Sequence, residues 1–273
     1  MSRTEWAPII GRAAEIVASY DTSVTLRQLF YRLVSERLLP NTDTSYKTLS
    51  HRTAAARRAG TFPELIDRGR SIHRYRSYDS PADALSMLAR TYRRDRTEHQ
   101  PYSIYLAVEK AGLVVQLQSW FGDLGFPIIA LGGYSSQSYV DNVAADVIAA
   151  DRPAVLLYGG DHDPSGEDID RDFVARTDCW AKVIRVALSA EQVIAYDLPP
   201  MPGKAKDSRA AGFAARHGEL RQVELDALPP EALRGLYGDA VDQFWNFDTY
   251  QESRDREYAD KSTLRHAARV IES

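Results

Sequence analysis

One cysteine, Cys179, occurs in 273 residues, which excludes an intramolecular disulfide framework and any zinc module built on paired cysteines. Long apolar runs are also missing. No stretch approaches the ~20 residues of a membrane-spanning helix, and the opening Met-Ser-Arg-Thr-Glu-Trp lacks the unbroken apolar segment of a secretory signal. The six histidines show no His-x-x-x-His or other zinc-type spacing, and there is no Walker-type phosphate loop, so no ATPase is expected within the chain. These absences predict a cytoplasmic protein in a reducing compartment, with no membrane partner.

Charge is present in both signs but unevenly distributed. Residues 1–100 hold 17 Lys and Arg against 11 Asp and Glu, while residues 101–273 hold 17 against 27. A basic part attracts phosphates, and an acidic part tolerates them once divalent cations intervene, so the split suggests nucleic acid and metal as partners. A surface whose charge has merely drifted would look the same on this count alone.

Apolar spacing divides the chain into the same parts. Trp6, Ile9, Ile10, Ala13, Ala14 and Val17 repeat at helical intervals, as do Leu26, Leu29, Phe30, Leu33 and Val34 behind a Thr25 cap. A third helix is expected over 45–59 with Lys47, Arg52, Arg57 and Arg58, followed by a basic extended segment with Arg70, Arg74 and Arg76. Three helices and a basic extension outline a winged helix with a DNA-facing third helix. A further amphipathic helix over 81–96 is expected to link the two parts. From residue 101 short β-rich runs at 102–108, 127–131, 154–158 and 182–188 alternate with helical stretches at 112–122, 135–150 and 166–176. That rhythm predicts an α/β unit with a mainly parallel sheet flanked by helices, and a last helix from about residue 239. The expected domains are therefore 1–79, a linker helix over 80–100, and 101–273.

Acids fall where the strands end. Glu109 follows the first strand, and Asp161 and Asp163 follow the third in Gly-Gly-Asp-His-Asp-Pro-Ser-Gly. Residues two apart on an extended segment face the same way, and hard oxygen donors converging at strand tips suit Mg²⁺. On a helical wheel Tyr31 projects roughly 130° from its helix's apolar stripe, with Arg27 one turn earlier and within reach of any phosphate held there. A phenol with pKa ~10 needs a neighbouring base or cation before it can act as a nucleophile.

The segments Val-Glu-Lys-Ala-Gly-Leu, Ala-Leu-Gly-Gly-Tyr-Ser-Ser-Gln-Ser and Asp-His-Asp-Pro-Ser-Gly resemble a Toprim domain, and more closely the A subunit of topoisomerase VI and the related meiotic double-strand-break transesterase. Thr25-Leu-Arg-Gln-Leu-Phe-Tyr is similar to that family's catalytic tyrosine motif at Arg27 and Tyr31. The resemblance covers most of residues 20–200, and the chain's length is nearer the compact A-like proteins of phages and mobile elements. Gly132-Gly-Tyr-Ser-Ser departs from the family's usual loop, and His162 stands where a small residue is common.

The resemblance implies a type IIB topoisomerase-like isomerase that cleaves double-stranded DNA with Mg²⁺. Tyr31 would be the nucleophile, assisted by Arg27 and Glu109, and would form a 5′-phosphotyrosyl link. Glu109, Asp161 and Asp163 would hold metal, and Lys47, Arg52, Arg57, Arg58, Arg70, Arg74 and Arg76 would hold the DNA backbone. It further implies a nucleoid-associated homodimer in which the tyrosine of one subunit faces the metal of the other, with a separate GHKL-type ATPase subunit for strand passage. Two alternatives stand beside it: a Toprim nuclease that activates water, and a winged-helix DNA-binding protein without catalysis.

Overall fold

The computed structural model describes residues 5–66, 75–201, 207–218 and 220–272. Three helices open the chain: α1 (Trp6–Ala18), α2 (Leu26–Ser35) and α3 (Asp43–Arg58). The Thr25 hydroxyl accepts the Gln28 N–H and the Gln28 side chain accepts the Thr25 N–H, a reciprocal cap that fixes the start of α2. Thr42 caps α3 through the N–H of Ser45. The predicted stripes do meet, with Ile9, Ala13, Ile16, Leu29, Phe30 and Leu33 packed against Leu49 and Phe62. Of the expected basic extension, Arg70 and Arg74 lie outside the described residues, while Arg76 is exposed on irregular chain.

The linking helix is shorter than its sequence pattern. α4 (Pro81–Thr91) stops where Tyr92 turns extended, and the chain beyond serves tertiary contacts instead. The Arg94 N–H donates to Glu257, and the Arg96 guanidinium grips the same carboxylate with bonds of 2.9 and 2.7 Å. Helix propensity is worth a few tenths of a kcal/mol per residue, less than these charge-assisted bonds.

The second part is α/β. In chain order it holds β1 (Ser103–Val108), α5 (Ala111–Phe121), β2 (Ile128–Ala130), α6 (Gln137–Ala149), β3 (Ala154–Gly159), α7 (Pro164–Thr177), β4 (Lys182–Ala187) and α8 (Ala190–Ala195). The strands are all parallel in the order β2-β1-β3-β4. Alternate residues feed opposite faces: Ile104, Leu106, Val108, Val155 and Leu157 enter one core, and Tyr105, Ala107, Leu156 and Tyr158 the other. The chain leaves β1 for one edge and returns to β3 on its other side. This reversal opens the crevice at the carboxyl ends of β1 and β3 in which ligands of such sheets bind.

Beyond β4 lie α9 (Ala210–His217), a 3₁₀ turn at Leu225–Ala227, α10 (Pro230–Asp242) and α11 (Phe247–Glu272). The single last helix expected from about residue 239 is thus two, divided before Phe247, with the Asn246 side chain accepting the Thr249 N–H. Among the described residues no helix is long and apolar enough to cross a membrane.

Candidate functional site

Glu109, Asp161 and Asp163 stand at the tips of β1 and β3 as their spacing predicts. The Glu109 N–H donates to Gly159 O at 2.9 Å, and the Glu109 carboxylate accepts the Asp161 N–H at 2.9 Å, so the two strand ends are tied through the acid itself. Asp163 caps α7, its carboxylate accepting the Gly166 N–H at 2.6 Å. Gly166 has a steric reason to be there: a Cβ would lie 2.3 Å from the Asp161 carbonyl oxygen and 3.2 Å from the Glu109 carboxylate.

Around these acids the fold gathers three residues that spacing alone did not single out. The Lys110 ammonium pairs with Asp161 at 2.8 Å, contacts Glu224, and lies 3.9 Å from Asp226. Asp161 also accepts the Leu225 N–H at 2.8 Å, which fastens the 3₁₀ turn over the strand tips. Glu224 and Asp226 are both buried. They are two apart in Val-Glu-Leu-Asp, the same same-face pattern that identified Asp161 and Asp163, but in a segment with no strand or helix periodicity around it.

Tyr31 reaches this cluster. Half-buried at the edge of the helical core, it donates its hydroxyl to Glu224 at 3.1 Å. The Arg27 guanidinium donates to the same hydroxyl at 3.3 Å and sits 3.6 Å from Glu224, and the Lys110 ammonium lies 5.6 Å from the centre of the Tyr31 ring. Arg32 holds the junction by donating to Ala227 O at 3.0 Å. Within the chain the tyrosine therefore faces Glu224, because α2 docks directly on the 3₁₀ turn. Between the start of α2 and the tip of β1 is a cleft of about 440 Å³ lined by Arg27, Glu109, Lys110, Gly132, Gly133 and Asp226. Gly132 and Gly133 have φ of +64° and +93°, a left-handed pair that side chains disfavour.

Burial, and next the charge of Asp161, push the Glu109 carboxyl up to about 7. Burial disfavours the charged carboxylate, and the neighbouring Asp161 adds to that against the opposing charge of Lys110. The donors are all hard oxygens, so the chemistry of Glu109 and Asp161 fits a divalent ion such as Mg²⁺. Burial also raises the Tyr31 phenol; Arg27 opposes this, and Asp161 and Asp226 add to it. Tyr31 is accordingly a protonated donor toward Glu224.

The DNA-facing candidates of α3 are arranged as a face. With Leu49 and Thr53 buried, Lys47 and Arg58 point to the opposite side at 100° per residue, flanked by Arg52 and Arg57. Lys47, Arg52, Arg58 and Arg76 are exposed, Arg57 is half-buried, and none of the five is ion-paired among the described residues.

A second cluster is unannounced by sequence spacing. His162, Glu167 and His217 bring ligand atoms within 4.8 Å of one another, the group among the described residues that could hold a metal ion, whereas Glu109, Asp161 and Asp163 do not converge that closely. The expectation of no zinc-type histidine set therefore holds for local spacing only, because His217 is 55 positions from His162. No protein-family model matches this sequence, and no curated protein matches it either.

Proposed function

We propose that this chain cleaves double-stranded DNA by transesterification, with a winged-helix part presenting Tyr31 to a Toprim-like set of acids, as in the topoisomerase VI A subunits it resembles. One observation carries the reading: the Tyr31 hydroxyl, at the edge of one core, bonds to Glu224 beside the strand-tip acids of another.

In this mechanism Tyr31 Oη forms a bond to phosphorus while the bond from phosphorus to the 3′ oxygen breaks, leaving a 5′-phosphotyrosine and a 3′-hydroxyl. Glu224 takes the phenolic proton through the existing hydrogen bond, and solvent supplies a proton to the 3′ oxygen. Arg27, already at the hydroxyl, faces the phosphate oxygens as the negative charge builds. Lys110 offsets the charges of Asp161 and Glu224 and keeps the general base from being crowded by its neighbours. Mg²⁺ held by Glu109 and Asp161, with Asp163 adjoining, would supply positive charge to the phosphate and the leaving oxygen. Lys47, Arg52, Arg57 and Arg58 hold the backbone of the duplex. Two copies of the chain would address the two strands, and strand passage would require a separate GHKL-type ATPase subunit.

A second reading is favoured by the Glu109 carboxyl near 7, which suits a general base that activates water for hydrolysis. Incubation with duplex DNA and Mg²⁺ followed by a detergent quench separates the two. Protein covalently attached to 5′ ends, lost in Tyr31→Phe, supports transesterification. Free ends that persist in Tyr31→Phe support hydrolysis. Salt-sensitive binding with no cleavage under any metal condition leaves only a DNA-binding role.

A further inference from the structure

We propose that His162, Glu167 and His217 form a binding site for a borderline divalent transition-metal ion of the Zn²⁺ class, separate from the strand-tip carboxylates. Three elements supply the donors: the turn after β3, the first turn of α7, and the last residue of α9.

The donor set has the right composition. Two imidazoles and one carboxylate suit Zn²⁺ and its neighbours, whereas Mg²⁺ prefers oxygen alone. A four-coordinate ion with bonds near 2.0–2.1 Å separates its donors by roughly 3.3–3.4 Å. Here the separation of Glu167 and His217 is 2.5 Å and the outer limit for the trio is 4.8 Å, so modest side-chain rotations bring all three into range.

Independent evidence comes from His162. Its backbone is pinned by two hydrogen bonds to Val223, both 2.9 Å, so its side-chain direction is set by the fold. The residue is only 3% exposed, and its ring is walled in by side chains of α9. The ring stands 4.8 Å from the His217 ring, with Phe213 at 4.9 Å closing another side. A buried imidazole whose backbone is pinned by the fold, set against a second imidazole and a carboxylate, completes the three-donor set.

The surroundings fit as well. Arg216 holds one Glu167 oxygen at 2.6 Å and leaves the other toward His217, the outer-layer orientation that metal-binding carboxylates use. Glu167 and Arg216 also line a cleft of about 720 Å³, which leaves room for a solvent ligand at a fourth position. Because His162 lies between Asp161 and Asp163, an ion there would clamp α9 onto the turn that carries both acids.

The test uses the full chain, stripped with a chelator and then given Co²⁺ or Zn²⁺ in the presence of excess Mg²⁺. One equivalent should bind by calorimetry, and Co²⁺ should show the intense visible bands of a four- or five-coordinate nitrogen-containing site. His217→Ala, at a half-buried position, should weaken binding by more than about 100-fold, beyond what loss of an outer partner causes, and abolish the bands. Glu167→Gln gives the same direction should His217→Ala not fold. Asp161→Asn should leave the bands intact. Absence of saturable binding, binding unchanged in both His217→Ala and Glu167→Gln, or bands lost in a folded Asp161→Asn would each overturn the proposal. None of these readouts depends on DNA cleavage.

Discussion

The Tyr31 hydroxyl donates to Glu224 across 3.1 Å of space and 193 positions of sequence, joining the helical part of the chain to the strand-tip acids. That bond predicts different outcomes for its two ends. Tyr31→Phe removes the proposed nucleophile and should eliminate the covalent DNA adduct, while the lost hydrogen bond costs only about 1 kcal/mol of stability. Glu224→Gln still accepts the hydrogen bond but not the proton, so adduct formation should slow by about 10²–10⁴-fold with the far-ultraviolet dichroism unchanged. Wild-type adduct rates in Glu224→Gln would remove Glu224 from the mechanism.

The cations of α3 should act through phosphate neutralisation. Lys47→Ala, Arg52→Ala and Arg58→Ala are each expected to reduce the slope of log affinity against log salt by about 0.9 for duplex DNA. Arg12 on α1 is the control, since it is already engaged by Glu15 at 2.8 Å and by Glu36 at 2.8 Å. Its substitution by Ala should leave the slope alone. Equal slopes for all four variants would mean that α3 does not face the duplex.

Gly166 tests how tightly the acids are seated. A Cβ there meets the Asp161 carbonyl oxygen at 2.3 Å, and backbone cannot move aside as a flexible side chain would. Arg185 holds that same carbonyl at 2.6 Å, which stiffens it further. Gly166→Ala should therefore cost about 1–3 kcal/mol, the range for forced overpacking, read as a lower urea midpoint with an unchanged slope. A midpoint within error of wild type would show that α7 can shift without disturbing Asp161.

How much of this was legible beforehand depends on the range of the signal. The strand and helix rhythm after residue 101 reads most directly at β1 and β3, because parallel strands buried on both faces must be largely apolar, whereas the edge strand β4 carries Lys182 and Arg185. Glu109 was legible because it follows an apolar run immediately, and Asp161 and Asp163 because they come just past the glycines that end the next such run but one. Glu224 and Asp226 were not, because their segment is held by the Leu225 N–H bond to Asp161 and not by any periodic pattern of its own. His217 was invisible as a ligand candidate, for spacing rules compare neighbours and its partner Glu167 is 50 positions away. The end of α4 at Thr91 escaped the pattern because the Arg96–Glu257 pair, 161 positions apart, outweighs local propensity.

Two glutamates with opposite shifts, the half-buried Glu109 and the buried Glu257, give a prediction in pH. Hydrogen bonding by Arg96 holds the Glu257 carboxyl down at about 2, below its ordinary 4.5, so the folded state binds fewer protons there than the unfolded chain. Its contribution is present above pH 4.5 and fades as pH falls toward 2. Glu109 runs the other way: with a folded value of about 7 against 4.5, stability falls as pH rises between those values, because the folded state must give up a proton the unfolded chain has already lost. At about pH 8 in EDTA, Glu109→Gln should therefore be more stable than wild type, and the advantage should shrink near pH 5. Adding Mg²⁺ should stabilise the wild type and not Glu109→Gln, as expected for an ion that binds only the folded carboxylate set. Glu257→Gln should instead lose about 1.5–3 kcal/mol near neutrality, the range for hydrogen bonds to a charged group, since the buried Arg96 guanidinium keeps Asp123 as its remaining carboxylate partner, with the gap narrowing toward pH 2. A Glu109→Gln protein less stable than wild type at pH 8 without metal would contradict the raised Glu109 carboxyl at the strand tips.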